Sequence, residues 1–158
     1  MKSRKLNAES EEQKANKRGF TLIELLVVIT IIGITMAFAV PSLISQLPNY
    51  RLSSARRQIL GDLRLCRQKA ITEGNNFSVQ FNQPAPNHYR IANLATAQIT
   101  TKRLPVGITI TGAAFGDADT VIFRANGSVV RGGYVGLRNT KGLVDSVFVG
   151  MAGMVTTR

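Results

Sequence analysis

The chain of 158 residues carries 20 Lys and Arg against 9 Asp and Glu, a formal net charge of +11, with 44% hydrophobic residues and five prolines. That hydrophobic content excludes a disordered tail, and the length allows one domain of ordinary size. With Cys66 and His88 the only residues of their kinds, an internal disulfide is ruled out and an ordinary metal site has too few ligands, so no cofactor is expected.

The first 19 residues hold six basic and three acidic side chains, so removing their net +3 would take the chain from +11 to +8. From residue 20 to 40 the sequence is then apolar apart from Glu24 and three threonines, Thr21, Thr30 and Thr35. As a helix this run would span about 30 Å, enough to cross the hydrocarbon core of a bilayer. Lys14, Lys17 and Arg18 stand just before it, so the positive-inside rule keeps residues 1–18 cytoplasmic and sends the rest outward. Glu24 is the anomaly. A carboxylate deep in a spanning helix costs roughly 2.5–3.5 kcal/mol on insertion scales, which makes an intramembrane acid a functional hypothesis in need of a cationic partner. Cleavage after Gly19 would supply one, a free amine on Phe20 one helical turn away.

The stretch Lys17-Arg18-Gly19-Phe20-Thr21-Leu22-Ile23-Glu24 resembles the class III signal of type IV prepilins and type II secretion pseudopilins. The resemblance implies cleavage after Gly19 by a membrane-embedded prepilin peptidase and N-methylation of Phe20 as the new first residue. It places Glu24 on the family's glutamate, an assembly contact to the amine of a neighbouring subunit. Other pilin or pseudopilin subunits and an inner-membrane assembly platform are the implied partners. The implied location is the inner membrane, single-pass with the C-terminal domain outside the cytoplasm, and then a fibre. Two other readings compete: an ordinary secretory signal, since Ala37-Phe38-Ala39 offers an A-x-A cleavage pattern that would leave Val40 first, and a plain membrane anchor. Neither gives Glu24 a purpose.

Pro41 and Pro48 are expected to interrupt the helix by a kink or local melting. Helical spacing resumes with Leu52, Ala55, Ile59, Leu63, Cys66 and Ala70, a narrow apolar stripe suited to a sheet, while Arg51, Arg56, Arg57, Arg64, Arg67 and Lys69 lie largely off it. Cys66 reads as a small hydrophobe on that face. Gly74-Asn75-Asn76 supplies the stop.

From Phe77 the period becomes two: Phe77, Val79 and Phe81 alternate with Ser78, Gln80 and Asn82. Pro84, Pro86 and Asn87 make a loop, and His88 is expected at its edge. Further strands are expected over residues 89–94, 99–104 and 107–111. Asn126-Gly127 predicts a two-residue hairpin turn between strands 120–124 and 128–131. Strands over 134–138 and 146–151 follow, and Gly132-Gly133-Tyr134-Val135-Gly136, a weak phosphate-loop lookalike, reads as a tight turn.

The expected fold class is α+β and pilin-like: a long N-terminal helix, membrane-spanning in its first half, packed on a C-terminal antiparallel β domain. The expected divisions are a leader over 1–19, a membrane and assembly helix over 20–40, an amphipathic continuation over 41–74 and a β domain over 75–158. Leu60-Gly61-Asp62-Leu63-Arg64-Leu65-Cys66-Arg67-Gln68-Lys69-Ala70-Ile71 and Phe123-Arg124-Ala125-Asn126-Gly127-Ser128 together resemble the minor pilins and pseudopilins grouped as FimT and GspH, which usually carry alanine in place of Cys66. A structural subunit that helps initiate or cap a pilus or pseudopilus is thus expected. No nucleophile-elbow pattern accompanies His88, and catalysis is not expected. The basic surplus opens one alternative, contact with DNA during uptake through Arg124, Arg131, Arg138 and Arg158. Some FimT-like proteins are thought to use a basic Gly-Arg-x-Arg tail for this, from which Gly153-Met154-Val155-Thr156 departs.

Overall fold

The computed structural model describes residues 19–116 and 118–157. The leader up to Arg18, Asp117 and the candidate DNA contact Arg158 lie outside the described residues. Compactness divides the chain into two units, Met1–Ile44 and Ser45–Arg158.

One helix, α1, runs over Leu22–Glu73 without a break at Pro41 or Pro48. The local melting expected at the prolines is therefore not seen. A proline deletes its own N–H and crowds one preceding carbonyl, so each costs a local rung while the hydrogen bonds on either side persist. The helix stops at Glu73 because Gly74 adopts φ +66°, the left-handed closure that glycine adopts without steric cost.

Within the first unit every side chain of α1 is exposed. The helix is long and apolar enough to cross a membrane, and none of its most apolar window is buried in protein. Within the second unit, α1 buries Leu52, Ala55, Ile59, Leu63, Cys66 and Ala70, the expected stripe, together with Asp62.

Eight strands complete that unit. They are β1 (Phe77–Phe81), β2 (His88–Asn93), β3 (Ile99–Arg103), β4 (Ile108–Ala114), β5 (Thr120–Phe123), β6 (Gly133–Asn139), β7 (Val144–Val149) and β8 (Val155–Thr157). They form two four-stranded sheets, ordered β3-β2-β1-β5 and β4-β6-β7-β8, with every pairing antiparallel. The α1 stripe, Phe77, Val79, Phe81, Tyr89 and Phe123 of the first sheet and Val135, Leu137, Val147 and Val149 of the second share one core.

The expected strand over 128–131 is not one. Val129 keeps only an isolated bridge to Phe123, and its N–H turns away from β5 to donate to the Met151 carbonyl, in the turn between β7 and β8, at 3.0 Å. The turn before it also differs from expectation. Arg124 N–H donates to Ser128 at 2.8 Å, Gly127 N–H to Arg124 at 2.8 Å, and Gly127 has φ +80° while Asn126 does not enter that region. The loop is therefore Ala125-Asn126-Gly127, a turn closed by a glycine bulge, which is the usual three-residue hairpin solution.

Residues 133–136 belong to β6 and not to a tight turn. A Cβ on Gly133 would overlap the Ala114 carbonyl oxygen, and one on Gly136 would crowd Thr111 Oγ1 at 2.6 Å. These glycines let β4 approach β6 across the register shift between Ile110 and Gly112. β8, missed from sequence, is only three residues long and has no alternation to read.

Candidate functional site

Thr21 precedes the first residue of α1, and its Oγ1 accepts the backbone N–H of Glu24 at 3.2 Å. That is the forward half of a capping box, the Ser/Thr-x-x-Glu arrangement in which the hydroxyl satisfies one of the first-turn N–H groups a helix leaves unpaired. The Thr21-x-x-Glu24 spacing was legible in the sequence and the cap was overlooked. The other two threonines hide their polarity in the same economical way: Thr30 Oγ1 donates to the Leu26 carbonyl at 2.7 Å and Thr35 Oγ1 to Ile32 at 2.9 Å. Each hydroxyl would otherwise be costly in lipid.

Glu24 remains the exception. It lies in the first turn of α1, where the helix dipole favours an anion. Among the described residues nothing forms a hydrogen bond or ion pair with its carboxylate. Gly19 and Phe20 precede the helix, Phe20 at 85% exposure. Phe20 N, the atom that a cut after Gly19 would convert to an amine, thus stands just outside the cap.

The three described arginines proposed from sequence are all exposed but occupy different places. Arg124 opens the turn after β5, Arg131 precedes β6 beside Gly116, and Arg138 lies one residue from the far end of β6. Of the basic residues of α1 that lie off the stripe, several bond the β domain. Arg67 Nε donates to Gly127 at 3.0 Å and its Nη2 to Ala152 at 3.2 Å, Arg64 Nη2 to Val155 at 3.2 Å, and Arg56 pairs with Asp145 at 3.1 Å. His88 begins β2, half-buried, with Nδ1 at 2.9 Å from the Pro86 carbonyl. A carbonyl only accepts, so Nδ1 carries the proton.

A polar cluster unforeseen from sequence joins α1 to the first sheet. Buried Asp62 accepts from Tyr89 Oη and, at 2.6 Å, from Lys102 Nζ; Gln58 Nε2 donates to Tyr89 Oη at 2.9 Å. Burial, and then the hydrogen bond and charge of Asp62, push the Tyr89 phenol above its ordinary range. Burial first and Asp62 second push the Cys66 thiol up to about 12, so it stays protonated and unreactive near neutral pH.

An exposed apolar helix continuing into a stripe that packs on two antiparallel sheets is the pilin-like architecture. The model of the prokaryotic N-terminal methylation motif matches residues 14–40. Among solved structures, the type IV minor pilin FimU of Pseudomonas aeruginosa PAO1 is similar at 18% identity and TM-score 0.55, over 70% of this chain and 90% of that one. The minor pseudopilin EpsH of the type 2 secretion system of Vibrio cholerae is similar at 13% identity and TM-score 0.54, over 68% of this chain and 96% of its own. No curated protein sequence matches the chain.

Proposed function

We propose that this chain is a minor pilin or pseudopilin, a structural, non-catalytic subunit that helps initiate or cap a type IV pilus or a type II secretion pseudopilus. The observation that carries the reading is the conjunction of the methylation motif with an exposed apolar helix on a pilin-like β domain. In this reading a prepilin peptidase cuts after Gly19 and Phe20 becomes the N-methylated first residue. The helix holds the subunit in the inner membrane with its C-terminal domain on the periplasmic side, and an assembly platform then passes it into the fibre among other pilin subunits. Glu24, capped through its backbone and unpaired at its carboxylate, receives the Phe20 amine of a neighbour. In hydrocarbon that pairing offsets part of the cost of each isolated charge. Mass spectrometry of the mature N-terminus is the test: N-methyl-Phe20 is expected, and a chain starting at Val40 would refute prepilin processing.

A second reading, contact with DNA during uptake, rests on the +8 that remains beyond Gly19 and on the exposure of Arg124, Arg131 and Arg138. It predicts a duplex gel shift that weakens steeply between low and physiological salt. Absence of a salt-sensitive shift excludes it.

A further inference from the structure

β3 is an edge strand, hydrogen-bonded to β2 alone, with all but one of its residues exposed. Its register with β2 and the bonds flanking it settle which backbone groups point away from the sheet. Asn93 N–H donates to Gln98 at 3.0 Å and Leu104 N–H to Asn87 at 3.0 Å, so residues 98 and 104 face β2. Antiparallel pairs alternate, so Thr100 and Lys102 also face β2, and Ile99, Thr101 and Arg103 turn their N–H and C=O groups outward. Of these the Arg103 carbonyl is taken by Gln58 Nε2 at 3.3 Å. Among the described residues no backbone bond reaches the outward groups of Ile99 or Thr101.

The other sheet edges are treated differently. Val155 of β8 is capped by Arg64, Ile110 N–H of β4 donates to Asn87 Oδ1 at 3.1 Å, and Ile122 of β5 accepts from Val130 N–H at 2.9 Å. Along β3 the outward backbone groups of two successive rungs, Ile99 and Thr101, stay open among the described residues.

The side chains around that run are basic. Alternation puts Arg103 and Thr101 on the face of the sheet opposite Tyr89, beside His88 and Arg90 of β2. Arg90 Nε is buried with no hydrogen-bond partner among the described residues, an arrangement that is costly for a guanidinium unless an acceptor arrives. Arg90 and Thr101 are directly opposite, and Arg90 is paired on its other side with Gln80. No acidic residue lies in β1, β2 or β3. Two carboxylates near the edge are already engaged: Asp62, on the other face, with Lys102 and Tyr89, and Glu73 with Asn93 Nδ2 at 3.0 Å.

We propose that the outer edge of β3 accepts an extended acidic segment of another protein as a fifth strand of the first sheet. Its backbone pairs with Ile99 and Thr101, and its carboxylates lie beside Arg103 and Arg90. The alternation of donors and acceptors selects a peptide over a nucleic acid, because phosphates accept hydrogen bonds and cannot donate to the Thr101 carbonyl. Charge favours another partner over a second copy of this chain, since β3 itself has no acidic side chain to place beside Arg103 and Arg90. This site is independent of Glu24 and of where the chain is processed.

The test is fluorescence anisotropy of the detergent-solubilised full chain with a labelled peptide of alternating Thr and Glu. Saturable binding is expected, weakened at least tenfold by Thr101→Pro, which removes an outward N–H and leaves the bonds to β2 in place. Arg103→Ala should weaken it several-fold. The same peptide N-methylated at alternate backbone positions should not bind wild-type protein, a control that needs no variant to fold. Equal binding of the N-methylated peptide, no binding of the parent peptide, or preference for an oligonucleotide duplex would each overturn the proposal.

Discussion

Replacing Gly19 by phenylalanine should leave nearly all of the chain as full-length precursor in the membrane, read as a slower band and an intact leader mass. Gly19 immediately precedes Phe20 and the Thr21 cap, so a peptidase must hold this junction extended against the start of a helix. A large side chain there blocks the close approach that a glycine permits. Glu24→Ala separates processing from assembly. That variant keeps the cap, because the bond is made by its backbone N–H, and should be cut normally while entering fibres at a fraction of the wild-type level. Normal processing of the phenylalanine variant would remove Gly19 from the junction, and wild-type incorporation of the alanine variant would remove Glu24 from assembly.

The second large effect is expected at Asp62. Asp62→Ala leaves Lys102 without its counter-ion and the Tyr89 hydroxyl proton without the acceptor it has now. Breaking a buried pair from one side costs about 3–5 kcal/mol, and since the Lys102 side chain is 37% exposed the cost here is reduced to about 2–3 kcal/mol. Thermal unfolding followed by near-UV circular dichroism should show a fall in Tm on the order of 10 °C. Asp62→Asn should recover part of this by keeping an acceptor for Tyr89. A Tm within a degree or two of wild type for Asp62→Ala would show that solvent replaces the carboxylate without cost, and that the cluster does not hold α1 to the first sheet.

The same residues show where reading the sequence succeeds and where it stops. The apolar run, its basic flank and the methylation motif that spans them are local in the chain, so hydropathy and a short motif suffice to find them. The α1 stripe is equally local, because a helix repeats every 3.6 residues and burial follows that period; each residue of the predicted stripe is buried. Asp62 sits next to Leu63 in the chain, and nothing in the local spacing marks it as buried. What makes it a core residue is Tyr89 on β2 and Lys102 on β3, 27 and 40 positions away.

The melting expected at the prolines is absent for the opposite reason. Propensity speaks for one residue at a time, whereas a helix of 52 residues retains its pattern when single rungs are lost. Residues 128–131 carry strand-like composition, but the Val129 N–H is taken by Met151 in the turn between β7 and β8, a partner that no local pattern records. The division of the strands into two sheets, and with it the open edge of β3, likewise depends on which strands find each other.

By itself, then, the sequence determined the membrane-length helix, the motif at its start, the acid within it and the alternating strands beyond, since each follows from side-chain chemistry at fixed local spacing. The tertiary structure decided the rest: the polar lock at Asp62, the arginines that tie α1 to the β domain, the close approach at Gly133 and the open edge of β3. Those are contacts between residues far apart in the chain, and their energies exist only once packing has brought the partners together.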